Sequence, residues 1–151
     1  CSFGHEITGL RSEVIRKCKD LKDEGFKVEI VACGGYDSVD YETYNKLISR
    51  SLIGISSWGA GNSCRRLFEL MANKTCCLAQ KMNIEFPNGP SDGKSYIEYK
   101  TIEEFESKFR MYIKDRDRCI QIGKEGYDLM KDYHTCEKRV EYMLNHMGYN
   151  S

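Results

Sequence analysis

The chain carries no excess of charge: 23 Lys plus Arg stand against 23 Asp plus Glu in 151 residues. That balance excludes the basic footprint of a nucleic-acid binder, and without a polybasic run there is no signal for an anionic membrane surface. No apolar run is long enough to span a bilayer. No signal peptide is visible, and there is no internal repeat or low-complexity segment. Eight cysteines are present, at positions 1, 18, 33, 64, 76, 77, 119 and 136. They form no CxxC pair, so the close paired ligands of a zinc site are missing. Several fall at core-facing positions, where a free thiol behaves as a small hydrophobe. The expectation is reduced cysteines in a cytoplasmic protein. The chain opens on Cys1-Ser2-Phe3 without an initiator methionine, which predicts a piece of a longer protein.

What is present points to one α/β domain. At this length folding buries roughly 68–70% of the extended-chain surface, enough for a sizeable core. Ser2-Phe3 reads as the end of a strand, followed by a loop from Gly4 to Gly9. Leu10, Val14, Ile15, Cys18 and Leu21 mark an amphipathic helix that stops at Gly25. Val28 to Cys33 reads as a buried strand, Tyr41, Tyr44, Leu47 and Ile48 as a second helix, and Leu52 to Ser56 as another strand. Thr75 to Ala79 and Tyr96 to Tyr99 complete a set of about five. Residues 80–94 hold both prolines and form a long loop. Thr101 and Glu104 make a capping box before a helix with Ile102, Phe105, Phe109 and Tyr112 inward. The remainder is helical, broken at Tyr133-His134-Thr135. Thr135 caps the last helix, with Cys136, Val140, Met143 and Met147 facing inward and Arg139 tying it to a neighbour. Strands alternating with helices predict a Rossmann-like three-layer α/β/α architecture, a mostly parallel sheet and a helical C-terminal tail.

The most informative segment runs from Ser51 to Thr75. A buried strand leads into a small-residue turn, Trp58-Gly59-Ala60-Gly61, and then a helix. Leu67, Phe68 and Met71 repeat at helical spacing and face the core. Asn62, Arg66, Glu69 and Asn73 repeat at the same spacing on a different side. In open α/β sheets ligands bind at the carboxyl ends of strands, and a helix N-terminus offers unpaired N–H groups and roughly half a positive charge. Gly59 and Gly61 let backbone approach a phosphate, Arg66 offers a fork for phosphate oxygens, and Glu69 can accept from two ribose hydroxyls. The competing reading of Arg66 and Glu69 is an i,i+3 surface ion pair. Gly59-Ala60-Gly61 is no dinucleotide fingerprint, since Cys64 stands where the third glycine belongs.

Gly34-Gly35-Tyr36 also follows a strand. Tyr36 suits base stacking and a plain turn equally. Arg11, at the start of the first helix, and His5, in the loop before it, are candidates for a phosphate or sugar, and His5 is the one candidate for catalysis. Trp58 suits a sugar pocket and a core position equally.

Ser51 to Ala72, with Arg66-Leu67-Phe68-Glu69 and a small-residue step, resembles the C-terminal half of GT-B glycosyltransferases of the "glycosyl transferases group 1" type, including CgeB-like proteins. Tyr96-Ile97-Glu98-Tyr99, Glu103-Glu104-Phe105, Gly123-Lys124-Glu125-Gly126, Tyr133-His134-Thr135 and Arg139 agree with it. The resemblance implies a domain that binds a nucleotide-diphosphate sugar, with Glu69 as the donor glutamate. Its donor-binding set would be Arg66, Glu69, Gly59, Gly61, Asn62, Ser63, Gly35, Tyr36 and Arg11. Retaining relatives often carry a second glutamate eight residues earlier, where this chain has Gly61. The acceptor and catalytic base would come from an N-terminal domain that this chain lacks. No cofactor or metal is implied, because helix N–H groups and Arg66 would stabilise the leaving diphosphate. Asp115-Arg116-Asp117 matches the metal-binding DxD of the other large glycosyltransferase class, but falls between helices, where Asp115 is a good N-cap. A non-catalytic nucleotide-binding module is the alternative. A flavodoxin-like receiver would need acidic residues at the end of the first strand, and Cys1-Ser2-Phe3-Gly4 has none.

Overall fold

The computed structural model describes residues 9–31, 39–59 and 64–149. The expected strand end at Phe3, the turn at 34–37, and His5, Gly35, Tyr36, Gly61, Asn62 and Ser63 lie outside the described residues. The elements are α1 (Leu10–Asp23), α2 (Tyr41–Arg50), β1 (Ile53–Ser56), α3 (Arg65–Ala72), β2 (Cys76–Gln80), β3 (Ile97–Tyr99), α4 (Ile102–Tyr112), α5 (Arg116–Tyr133) and α6 (Cys136–His146).

Local chemistry sets most of the helix ends. Asp40 caps α2 by accepting from the Thr43 amide at 2.9 Å, and Asp115 caps α5 through the Arg118 amide at 3.0 Å. Thr101 accepts from the Glu104 amide at 3.2 Å. Glu104 returns the bond to the Lys100 amide rather than to that of Thr101. Gly25, at φ 98°, closes α1. Its amide donates to Lys22 and the Phe26 amide to Leu21, the paired bonds of a Schellman turn.

The three strands are parallel, in the order β1-β2-β3. Ile53 is opposite Cys76, and Leu78 is opposite Ile97. Alternation along β2 divides the interior in two. Cys76 and Leu78 join Val14, Cys18 and Leu21 of α1 and Phe105 and Phe109 of α4. Cys77 and Ala79 join Tyr44 and Ile48 of α2 and Leu67, Leu70 and Met71 of α3. The architecture is therefore helix, parallel sheet, helix. Gly54 lies on the α3 side, where a Cβ would run into the Leu70 side chain.

α5 belongs to both cores, through Cys119 and Ile122 in one and Met130 against the other. It passes the amino ends of β2 and β3 on its way between them. A Cβ on Gly123 would strike the Lys74 carbonyl just before β2, and one on Gly126 would stand 2.7 Å from the Ser95 carbonyl just before β3. Close helix-to-strand approach is the reason for glycine at both positions.

Three of the roughly five expected strands form among the described residues. Residues 28–31 carry no strand assignment, and the rest of that expected strand, 32–33, lies outside the described residues. Val28 and Ile30 pack on the α1/α4 core, so the apolar run is buried as expected. α6 departs further. Cys136, Val140, Met143 and Met147, expected inward, are exposed, and no residue of α6 is buried. Helical periodicity identifies an apolar face but not what covers it. Thr135 does cap this helix, accepting from the Lys138 amide. Arg139 ties it to the body, its guanidinium 5.7 Å from the ring centres of both Phe68 and Phe86. Phe68, read as core with Leu67 and Met71, is half-buried and meets Phe86 and His134 edge-on.

The described cysteines, 18, 64, 76, 77, 119 and 136, are free thiols, and four of them are buried. Among the described residues no helix is long and apolar enough to cross a membrane.

Candidate functional site at the carboxyl edge of the sheet

The chain leaving β1 is braced across the ends of the other two strands. Ser57 Oγ and the Tyr99 hydroxyl are 2.7 Å apart. The Trp58 amide donates to Gln80 Oε1 at 3.1 Å, and the Trp58 indole N–H donates to the Lys81 carbonyl at 2.9 Å. Trp58 thus acts as a brace, neither a core filler nor, in this arrangement, a free wall. Gly59 is held beside Arg11, whose Nη1 donates to the Trp58 carbonyl at 3.4 Å. Among the described residues, a Cβ on Gly59 would meet that Nη1 at 3.8 Å, an ordinary contact.

α3 begins close by. Its N-cap residue, Cys64, makes no side-chain capping bond, and its first turn holds no acidic residue. Neither the Cys64 side chain nor an acidic residue of the first turn offsets the positive end of the helix. Arg66, in that first turn, is only 7% exposed and stands in the wall of a cleft of about 580 Å³ that runs alongside β1 between residues 26–31 and α2. The expectation had placed Arg66 on a face separate from the core; the structure turns it inward, at the edge of the buried row beside Leu70. Burial first, and the Arg66 guanidinium second, hold Arg11 below the ordinary arginine range, with Cys64 acting the other way. Two guanidiniums from different helices therefore share one field at the end of β1.

Glu69 lies one turn further along α3. Its ion partner is Arg65, with Nε 2.7 Å from Oε1, rather than the i,i+3 pairing with Arg66. Its Oε2 accepts from the Tyr44 hydroxyl of α2 at 3.0 Å. Burial, then the Glu69 carboxylate, push the Tyr44 phenol up to about 12, while Arg66 draws it down. The Tyr44 hydroxyl thus stands beside both Arg66 and Glu69. Asn73, the last residue of the polar stripe, is taken up by the helix end, its Nδ2 donating to the Glu69 carbonyl at 2.9 Å.

Arg11 therefore stands beside Gly59 within the field of Arg66, and Tyr44 ties α2 to Glu69 one turn further along α3. Tyr44 and Arg65 were not among the expected site residues. Tyr44 was legible only as a core position of α2, whereas Arg65 could have been found from its i,i+4 spacing to Glu69. Asp115 of the DxD match is spent on capping α5.

A parallel α/β domain with cations gathered at the carboxyl end of a strand has the general form of an anion-binding α/β fold. The family follows from comparison with known sequences: the glycosyl transferase-like family model matches residues 11–145, and the chain belongs to that family. Neither the comparison with curated proteins nor that with solved structures finds a match.

Proposed function

We propose that this chain is the donor-binding domain of a GT-B glycosyltransferase of the group 1, CgeB-like type, and that it holds a nucleotide-diphosphate sugar at the carboxyl edge of its sheet. The placement of Arg11 against the Trp58 carbonyl and Gly59, within the field of Arg66 at the start of α3, carries this reading. A diphosphate set between them meets two forked cations and a helix N-terminus, and Glu69 lies one helical turn away, at the distance of a ribose. In the reaction the bond from the sugar's anomeric carbon to the diphosphate breaks as an acceptor hydroxyl attacks. Negative charge grows on the leaving diphosphate. Donors already aimed there stabilise that charge most, and the reading gives this task to Arg11, Arg66 and the α3 amides. The acceptor and its general base come from a second, N-terminal domain.

Saturation-transfer NMR with UDP-, GDP- and dTDP-sugars, with and without magnesium, tests this. At least one donor should bind. Arg66→Ala and Arg11→Ala should each weaken that binding roughly ten- to hundredfold, since a charge-assisted hydrogen bond contributes about 1.5–3 kcal/mol, and each variant should still fold. No binding at millimolar concentration, or unchanged affinity in both variants, would overturn the reading. A non-catalytic module would show the same binding without turnover when the full-length protein is assayed with a donor panel.

A further inference from the structure

We infer that the two oxygens of Glu69 have different tasks: Tyr44 fixes Oε2 as a positioning residue, and Arg65 holds Oε1 in trust for the ligand's ribose diol. The inference rests on the donor-binding reading above and adds to it how the carboxylate is prepared and what it selects.

The two contacts differ in kind. The Tyr44 hydroxyl donates to Oε2 at 3.0 Å from a ring packed in the α2/α3 core. That ring cannot follow solvent, so its bond persists. A tyrosine raised to about 12 also remains a donor at every pH at which the protein is used. Arg65 reaches Oε1 at 2.7 Å, but its side chain is 89% exposed against 21% for Glu69. An exposed ion pair contributes little, so Arg65 yields its place easily. Vicinal hydroxyls can then donate to Oε1 while Oε2 stays bound to Tyr44. A carboxylate held on one side loses less freedom when a ligand takes the other. The site then favours a ribonucleotide over one without its 2′ and 3′ hydroxyls.

The test is calorimetry with UDP or GDP, whichever the wild-type chain binds, against the 2′,3′-dideoxy form of the same nucleotide. Wild type should prefer the ribonucleotide about tenfold or more. Tyr44→Phe keeps the ring in the core and removes the donor; it should lose most of this preference while binding the dideoxy form as wild type does. Arg65→Ala should keep or sharpen the preference. In a Glu69→Gln background, Tyr44→Phe should change nothing further, which a merely structural role would not produce. If Tyr44→Phe retains the full preference, or lowers both affinities equally, the assignment of Tyr44 fails while the donor site stands. A tenfold loss in Arg65→Ala would overturn the displaceable role of Arg65. If the wild type binds neither nucleotide this inference fails, and the donor reading fails with it when no dTDP-sugar binds either.

Discussion

Gly123 offers a direct test of how α5 is seated, because two effects of opposite sign meet there. In the interior of a helix, Gly→Ala ordinarily stabilises by about 1 kcal/mol. At position 123 the new methyl would strike the Lys74 carbonyl oxygen and stand 2.9 Å from its carbon and 3.2 Å from the Cys76 nitrogen. All three are backbone atoms at the entry to β2, so no side chain can swing aside. Relief requires α5 to withdraw by half an ångström or more, and that withdrawal loosens Cys119 and Ile122, both fully buried. Overpacking of this sort costs about 1–3 kcal/mol, and a backbone collision belongs at the upper end. The net expectation is a loss of about 1–2 kcal/mol, which for a chain of this length lowers the melting temperature by roughly 2–8 °C. Calorimetry or circular dichroism melts of wild type, Gly123→Ala and Gly123→Val should rank in that order, with Val worst. An alanine variant that melts at or above the wild-type temperature would show that helix propensity prevails, and that α5 does not press on the start of β2.

Two further outcomes are expected. Burial first holds His134 below the ordinary histidine range, Arg139 adds to this, and the Asn88 carbonyl, 2.9 Å from Nε2, opposes it. Because the folded pKa is lower, the unfolded chain takes up the proton first, so stability should fall as pH drops below about 6.5. Melts at pH 7.5 and 5.5 should show this fall, and His134→Gln should flatten it; an identical pH dependence in the variant would refute the assignment. Thr75 Oγ1 donates to the Ile48 carbonyl at 2.6 Å and joins the end of α2 to the entry of β2. Thr75→Val should cost about 1 kcal/mol by urea unfolding, because the Ile48 carbonyl loses one of its two donors and keeps the Ser51 amide, and Thr75→Ser should recover most of that loss; equal stability of all three proteins would refute it.

The parts of the fold that were legible in advance are those decided within a few residues. Caps at Thr101, Asp115 and Thr135, the stop at Gly25, and the apolar spacing of Phe105 and Phe109 depend only on neighbours along the helix, and each is found as read. What depends on a distant partner was less legible. The apolar row of α6 looks in sequence like that of α4, yet one row is covered and the other faces solvent. At the site, the cationic turn at α3 was visible, while the exchange of partners between Arg65 and Arg66 was not. The two side chains leave the helix about 100° apart, and α2, packing from one side, decides which of them turns inward. The proximity of Arg11 to Arg66 joins two helices separated by 41 residues of intervening chain that no local pattern links. The glycines of Gly123-Lys124-Glu125-Gly126 were noticed as a motif, but the strand entries they rest on appear only in three dimensions.

Because α5 is pressed against the strands where they begin, that rim of the molecule leaves little room for substitution or insertion: a single methyl is already too much. The rim where β1 ends is held instead through side chains, by the Ser57–Tyr99 contact and by the bonds of Trp58 to Gln80 and Lys81. Contacts of that kind give way one side chain at a time, whereas a collision with backbone must move a whole helix.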